Sequence, residues 1–127
     1  MTWNRSWNVL SWNVRGINSQ TRWNAIKSKI SESNSDIICL QETKRESFND
    51  TYIQNFCPPT LDQFDFTPST GNSGCTLIVW NNKKLKGEPI FQNNFAHSVE
   101  FQCKLYGAGG SSQMYTLPIP RMGNYFF

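Results

Sequence analysis

The order of secondary-structure patterns in the first third of the sequence predicts a layered α/β fold. Residues 9–14 mix apolar and polar positions in a short run rich in β-formers, and Gly16 follows with turn chemistry. Residues 21–34 then repeat apolar side chains at helical spacing. Residues 37–40 form an uninterrupted apolar run, which is too short for a helix and typical of a strand buried on both faces. Strand, helix and buried strand in this order favour a sheet covered by helices.

The first helix is predicted from three apolar residues on one side. Trp23, Ile26 and Ile30 fall at i, i+3 and i+7, so the charged residues between them can remain in water. Either Ser19 or Thr21 can cap the start of this helix with its hydroxyl oxygen.

A second, weaker helical pattern follows the buried strand. It carries Phe48, Tyr52 and Phe56 and ends at Pro58, because proline cannot continue a helix.

The next part of the chain is predicted to be β structure. Residues 64–67, 76–80 and 98–105 are the strand candidates, and the last of them alternates strictly between apolar and polar side chains. Residues 81–84 are predicted to form an exposed turn, whose two lysines are interpreted as solvated rather than as a binding surface.

Length and composition limit the classes of protein that this chain can represent. Its 127 residues suit one domain, and the net charge of +3 is too small to indicate a dedicated polyanion-binding protein. The sequence has neither a signal peptide nor an apolar run of about 18 residues that could span a membrane, so we expect a soluble intracellular protein.

The cysteines and the histidine give no sign of a metal site. The four cysteines never form a Cys-x-x-Cys pair and His97 has no metal-ligand spacing to them, so reduced thiols are predicted, with Cys39 and Cys103 in the core. His97 is expected to be an ordinary surface residue.

Two polar residues at predicted strand ends are the candidates for chemistry. Asn13 ends the first strand and Glu42 ends the buried strand. Ligands collect at strand ends in α/β sheets, and adjacent strands would direct both side chains into one crevice. There the carboxylate can hold a hard cation and the amide can orient a phosphate or another side chain. The structural alternative is that Asn13 only makes a turn and Glu42 is a solvated charge.

In these surroundings the sequence resembles the endonuclease/exonuclease/phosphatase superfamily. Residues 11–16 (Ser-Trp-Asn-Val-Arg-Gly) and 40–43 (Leu-Gln-Glu-Thr) are similar to its first two motifs, in the form found in plant LINE-type retrotransposon endonucleases. Residues 71–80 resemble a third segment in which Ser-Gly-Gly enters a strand, although Cys75 replaces the second glycine. The resemblance covers about residues 7–105.

The resemblance implies a magnesium-dependent phosphodiesterase that acts on nucleic acid. Glu42 would be a Mg²⁺ ligand and Asn13 a catalytic amide close to the metal and the phosphate. Arg15, Lys44 and Arg45 flank the predicted crevice and could contact phosphates of DNA or another nucleic acid.

The resemblance also implies a partial four-layer α/β sandwich, about half of the full domain. The later Asp-x-Asn and Ser-Asp-His motifs are absent, so we expect a truncated and catalytically incomplete enzyme. Residues 1–106 are assigned to the domain and residues 107–127 to an irregular tail, for which the sequence leaves two alternatives open: a flexible end, or frame-shifted or mis-spliced sequence. With only one sheet present, an uncovered apolar face and self-association through it are expected. The alternative function is a non-catalytic module that binds nucleic acid or protein.

Overall fold

The structure is a computed structural model that describes residues 8–67, 75–92, 97–103, 114–116 and 125–126. Within these residues the chain forms two α-helices and eight β-strands. In chain order they are β1 (Val9–Asn13), α1 (Gln20–Ser33), β2 (Ile37–Gln41), α2 (Asp50–Ile53), β3 (Gln63–Thr67), β4 (Thr76–Trp80), β5 (Leu85–Gln92), β6 (His97–Cys103), β7 (Met114–Thr116) and β8 (Tyr125–Phe126).

The strands form two sheets, and the predicted α/β class is confirmed. The larger sheet has the order β3-β4-β2-β1-β8, in which β1 and β2 are parallel and the other neighbours are antiparallel. Because α1 joins the parallel pair, the carboxyl ends of β1 and β2 lie at the same edge of the sheet. The smaller sheet has the antiparallel order β5-β6-β7.

Helix α1 has the predicted apolar side and defined caps at both ends. The Ser19 hydroxyl oxygen accepts a hydrogen bond from the backbone N–H of Arg22 at 3.2 Å, which settles the choice of N-cap. Ile26 and Ile30 are buried. Asn34 ends the helix in the left-handed conformation, with φ 50°. None of the helices in the described ranges is long and apolar enough to cross a membrane.

The second helix is shorter than the apolar spacing suggests. The Asn49 side chain accepts from the backbone N–H of Tyr52 at 2.8 Å and fixes the start at Asp50, so Phe48 lies before the helix. After Ile53, the amide of Phe56 bonds to the carbonyl three residues back, which tightens the chain into turns. Phe48 and Phe56 are nevertheless buried against the larger sheet, so their spacing reflects packing rather than a continuous helix.

The helices cover one face of the larger sheet. The side chains on this outer face alternate along the central strands and pack with the helical residues into one hydrophobic cluster. The sheet residues concerned are Leu10, Ile38, Leu40, Leu77 and Val79.

The smaller sheet covers the apolar part of the opposite, inner face. A second cluster joins Val9, Ile37, Cys39, Ile78 and Trp80 of the larger sheet to Leu85, Val99 and Phe101 of the smaller one, and every member is buried. The prediction of an uncovered apolar face is therefore wrong for these residues, and self-association through that face loses its physical basis. The chain contributes strands to both sheets of the sandwich.

Strand β5 was not predicted, and its sequence explains why. Gly87 and Pro89 both count against a strand interior. Because β5 lies at the edge of its sheet, Pro89 is tolerated there, beside a shift in the pairing register with β6. Gly87 is required by packing, since a Cβ atom at this position would lie 2.5 Å from the Trp80 ring.

Several predicted features lie outside the described residues or side chains. They include residues 71–74 of the third motif segment, Leu105, and the side chains of His97 and Cys103. Within residues 107–127 the structure describes only β7, paired with β6, and β8, paired with β1. The assignment of this region to a separate tail stays a prediction.

Candidate metal and phosphate site

The structure brings Asn13 and Glu42 together at the edge where the two parallel strands end. Asn13 is the last residue of β1 and lies opposite Gln41, the last residue of β2, so Glu42 follows immediately beside it. The Asn13 side-chain nitrogen Nδ2 donates a short hydrogen bond to the Glu42 oxygen Oε2, although the residues are 29 positions apart in sequence. Both side chains are only partly buried, so the pair is open to solvent.

Both polar atoms of the Asn13 side chain are engaged, which fixes the orientation of its amide. Its Oδ1 accepts from the backbone N–H of Arg15 at 3.2 Å, while Nδ2 donates to Glu42. The second carboxylate oxygen of Glu42, Oε1, has no hydrogen-bond partner among the described residues. Asn13 therefore holds the carboxylate in place and leaves one oxygen available to a ligand.

The loops after β1 and β2 remain hydrogen-bonded beyond the sheet. The backbone N–H of Gly16 donates to the Glu42 carbonyl at 2.7 Å, and that of Ile17 donates to the Thr43 carbonyl at 3.0 Å. These bonds hold the two loops side by side, which is why the carboxylate and the amide stay within reach of each other.

Three non-glycine residues in these loops adopt the left-handed conformation. Arg15 has φ 50°, Glu42 φ 54° and Lys44 φ 56°, next to Gly16 with φ 98°. Each such L-residue costs roughly 1–2 kcal/mol relative to the right-handed conformation. Strained backbone of this kind concentrates at functional sites, where the surrounding structure holds it.

The inner face of the larger sheet becomes polar towards this edge. Gln41 donates from Nε2 to the Ser11 hydroxyl at 3.2 Å, and the hydroxyls of Thr67 and Thr76 lie 2.8 Å apart. All four side chains are buried. Sequence reasoning did not assign them to the site, although Gln41 follows Ile37 and Cys39 at the same alternation and is therefore a polar residue at an inward position.

The geometry around Glu42 fits a magnesium ion that keeps most of its water. In the part of the chain that the structure describes, no three His, Cys, Asp or Glu side chains cluster as a metal cage. Mg²⁺ commonly uses one or two protein carboxylates and takes its other ligands from water and substrate phosphates. The free oxygen of Glu42 matches that mode of binding, and Gln41 offers a buried amide oxygen, Oε1, that has no hydrogen-bond partner among the residues that the structure describes.

The basic residues predicted to flank the crevice have two different environments. Arg15 and Lys44 are exposed on adjacent loops, and the Lys44 stem passes over Gly16, with its Cδ atom 3.8 Å from the Cβ position there. Arg45 is instead partly buried, with its guanidinium 3.5 Å from the centre of the Tyr52 ring and Nη1 3.5 Å from Asn18 Oδ1. Arg45 therefore anchors the loop, while Arg15 and Lys44 remain available to phosphates.

Two sheets packed face to face, with polar side chains at one strand edge, define a DNase I-like α/β domain, and solved structures support this class. The chain has a TM-score of 0.56 with the AP endonuclease LMAP from Leishmania major, at 16% identity over 90% of this chain and 39% of that one. It has a TM-score of 0.53 with D. rerio TDP2 complexed with a single-strand DNA product, at 17% identity over 87% and 44%. A humanized D. rerio TDP2 gives 0.51, at 18% identity over 87% and 48%. The chain thus spans less than half the length of these structures.

The family follows from the sequence comparison. Residues 10–109 match the model of the endonuclease/exonuclease/phosphatase family, and the chain belongs to that family. No curated protein sequence matches the chain significantly.

Proposed function

We propose that this chain forms part of a magnesium-dependent phosphodiesterase site that cleaves nucleic acid, with Glu42 as a metal ligand. The observation that carries the proposal is the Asn13–Glu42 pair at the end of two parallel strands, with one carboxylate oxygen left free. Family membership and the fold shared with an AP endonuclease support a nuclease-type reaction. The similarity of residues 11–16 and 40–43 to plant LINE-type endonucleases supports a retroelement origin.

Each residue of the site has a separate task in this proposal. Glu42 binds the cation through its free oxygen, and Asn13 keeps the carboxylate in the binding orientation. A bound Mg²⁺ would supply Lewis-acid polarisation of the phosphoryl oxygen. Arg15 and Lys44 contact phosphates of the nucleic-acid backbone through their positive charge.

Activation of the attacking water requires a further acid–base group. Glu42 is already committed to the metal and to Asn13, and the amide of Asn13 cannot accept a proton at neutral pH. We therefore propose that the described residues form an incomplete catalytic set and that the remaining groups come from elsewhere in a longer polypeptide or from a partner chain.

Nicking of supercoiled plasmid DNA tests the proposal. The purified chain is assayed with Mg²⁺, with EDTA, and as Glu42→Ala. Glu32→Ala is the matched control, since Glu32 is an exposed carboxylate at the end of α1 that leads into the start of β2, whereas Glu42 follows the end of that strand. Cleavage that EDTA and Glu42→Ala abolish and Glu32→Ala retains would show a working site and overturn the proposed incompleteness.

The same set of variants tests metal binding when no cleavage occurs. Mn²⁺, which substitutes for Mg²⁺ at oxygen ligands, can be titrated by electron paramagnetic resonance. Binding by the wild type and by Glu32→Ala, with loss in Glu42→Ala, would support the metal site. Equal binding by all three proteins would refute the role of Glu42.

A non-catalytic nucleic-acid-binding module is the second candidate function. The exposed side chains of Arg15 and Lys44 on adjacent loops favour it. Binding to a DNA oligonucleotide should then weaken with salt, and Lys44→Ala should lower the slope of log K against log[salt] by about 1. Lys29→Ala on the exposed side of α1 should leave that slope unchanged.

The thiols support a reducing, intracellular location. Cys39, Cys57 and Cys75 are all unpaired and buried. Disulfides are rare in the cytosol and nucleus, where thiols are kept reduced, so we propose that the protein acts in such a compartment.

A further inference from the structure

Cys75 accepts hydrogen bonds from the backbone amides of Thr43 and Lys44, the two residues that follow Glu42. It lies immediately before β4, opposite the position of Glu42, because the next residue, Thr76, pairs with Gln41. The Cys75 carbonyl oxygen accepts from the backbone N–H of Thr43 at 3.2 Å. The Cys75 sulfur accepts from the backbone N–H of Lys44, also at 3.2 Å. One buried residue therefore binds two consecutive amides beside the candidate metal ligand.

Residues 42–44, to which Cys75 is hydrogen-bonded, have a strained backbone and are hydrogen-bonded on both sides. Glu42 and Lys44 are left-handed, and without partners an L-residue leaves that conformation. On one side the amides of Gly16 and Ile17 donate to the carbonyls of residues 42 and 43. On the other side Cys75 provides both acceptors. The Asn18 side-chain nitrogen Nδ2 also donates to the Lys44 carbonyl, at 3.4 Å. Among the described residues the Cys75 sulfur is the only side-chain acceptor for a backbone amide of residues 42–44, so a substitution of Cys75 can remove this acceptor while the backbone bonds can still be made.

We propose that Cys75 is a positioning residue that keeps the Glu42 carboxylate against Asn13 and ready to bind a cation. The inference rests on the proposed function for the role of Glu42, but the contact itself can be tested without metal. Loss of the sulfur leaves the partly buried N–H of Lys44 without an acceptor, which favours relaxation of residues 42–44. The resemblance to related sequences implies glycine at this position, and glycine offers no side-chain acceptor. The hydrogen bond from the Lys44 amide to a side chain is therefore particular to the present chain.

The metal-free test measures the Asn13–Glu42 hydrogen bond directly. The side-chain amide of Asn13 is followed by ¹⁵N NMR in the wild type and in Cys75→Ala, Cys75→Ser and Cys39→Ala. Cys39 is the matched control, because it is as buried as Cys75, at 3% exposed, and packs in the second cluster between the sheets.

We expect the Asn13 side-chain amide protons to lose protection from exchange in Cys75→Ala but not in the control variant. Exchange of the Asn13 side-chain amide protons should rise about fivefold in Cys75→Ala, the effect of losing one hydrogen bond. It should stay near the wild-type value in Cys39→Ala, and Cys75→Ser should restore most of the protection because its hydroxyl can accept. An unchanged Asn13 amide in Cys75→Ala overturns the proposal, as does an equal change in Cys39→Ala.

Mn²⁺ titration tests whether the Cys75–Lys44 hydrogen bond affects metal binding at Glu42. Cys75→Ala should bind Mn²⁺ about fivefold more weakly than wild type, as expected when a residue that orients a ligand is lost. Cys39→Ala should bind normally. Absence of binding in wild type itself would refute the proposed metal site and leave the NMR result to decide the positioning role. Normal binding by Cys75→Ala together with a changed Asn13 amide would show that the contact does not position the metal ligand, which overturns the proposal.

Discussion

The contact between Gly87 and Trp80 predicts that one added methyl group will disturb the packing between the two sheets. In Gly87→Ala the new Cβ atom would lie 2.5 Å from two carbons of the Trp80 ring and 2.9 Å from its nitrogen. Trp80 is 3% exposed and has the Phe101 ring edge-on at 5.3 Å, so the indole is enclosed between the two sheets. Either the ring or strand β5 must shift.

The expected change in the free energy of unfolding follows from two opposing contributions. Overpacking a well-filled core typically costs about 1–3 kcal/mol, and a rigid buried ring favours the upper end of that range. Replacing glycine by alanine gains back roughly 0.4–1 kcal/mol by restricting the unfolded chain. We expect a net loss of about 2 kcal/mol in the free energy of unfolding. For a chain of this length that corresponds to a fall in Tm of about 7 °C.

Urea unfolding monitored by tryptophan fluorescence measures this loss. Glu88→Ala, at the next and exposed position of β5, is the control and should change stability by less than about 0.5 kcal/mol. The cause is tested by a double-mutant cycle with Trp80→Phe, in which Gly87→Ala should cost less than half as much. Equal cost in both backgrounds, or no cost in either, would refute steric contact with Trp80 as the reason for glycine.

Three further predictions concern the strained loop, its aromatic support and the buried thiols. Lys44→Gly should raise the free energy of unfolding by about 1 kcal/mol in urea, because glycine accepts φ 56° without steric cost; destabilisation would show that the lysine stem matters more. Tyr52→Phe should lose about 1 kcal/mol in the same assay through its 2.8 Å hydrogen bond to Asn18, and unchanged stability would show that water replaces that bond. Burial raises the pKa of Cys39 from 9.0 to about 12 and also raises the pKa of Cys57. Because the unfolded Cys39 thiol ionises first, its contribution to stability is complete below pH 9 and falls between pH 9 and about pH 12. Cys39→Ala should therefore flatten the alkaline decline, and an unchanged slope would contradict the buried-thiol explanation.

Local patterns in the sequence are sufficient to predict the first half of the larger sheet. The spacing of Ile26 and Ile30 predicts α1, and the apolar run at residues 37–40 predicts β2, because each pattern has a single way of burying its side chains. The crossing from β1 through α1 to β2 then requires both strands to end at one edge. That is why the order of the elements predicts that Asn13 and Glu42 lie at the same edge of the sheet.

Features that depend on contacts distant in sequence cannot be predicted in this way. Strand β5 carries Gly87 because of Trp80 and tolerates Pro89 because it lies at an edge, and neither reason is visible locally. From the sequence, Arg45 is predicted to be available to phosphates, yet in the structure the ring of Tyr52 covers one face of its guanidinium. The left-handed conformation of Glu42 cannot be predicted from the sequence either, because glutamate has no local preference for a positive φ angle.

The left-handed backbone explains why a single carboxylate can be placed accurately at this strand edge. In an extended strand Glu42 would continue the alternation of β2 and direct its side chain to the face opposite Gln41. The observed φ of 54° breaks that alternation directly after the strand, which allows the carboxylate to reach Asn13 on the neighbouring strand. The cost of the conformation is met by hydrogen bonds from Gly16 on one side and to Cys75 on the other. Substitutions that release either side should therefore disturb the carboxylate before they unfold the sheet, because the β1–β2 pairing itself does not depend on them.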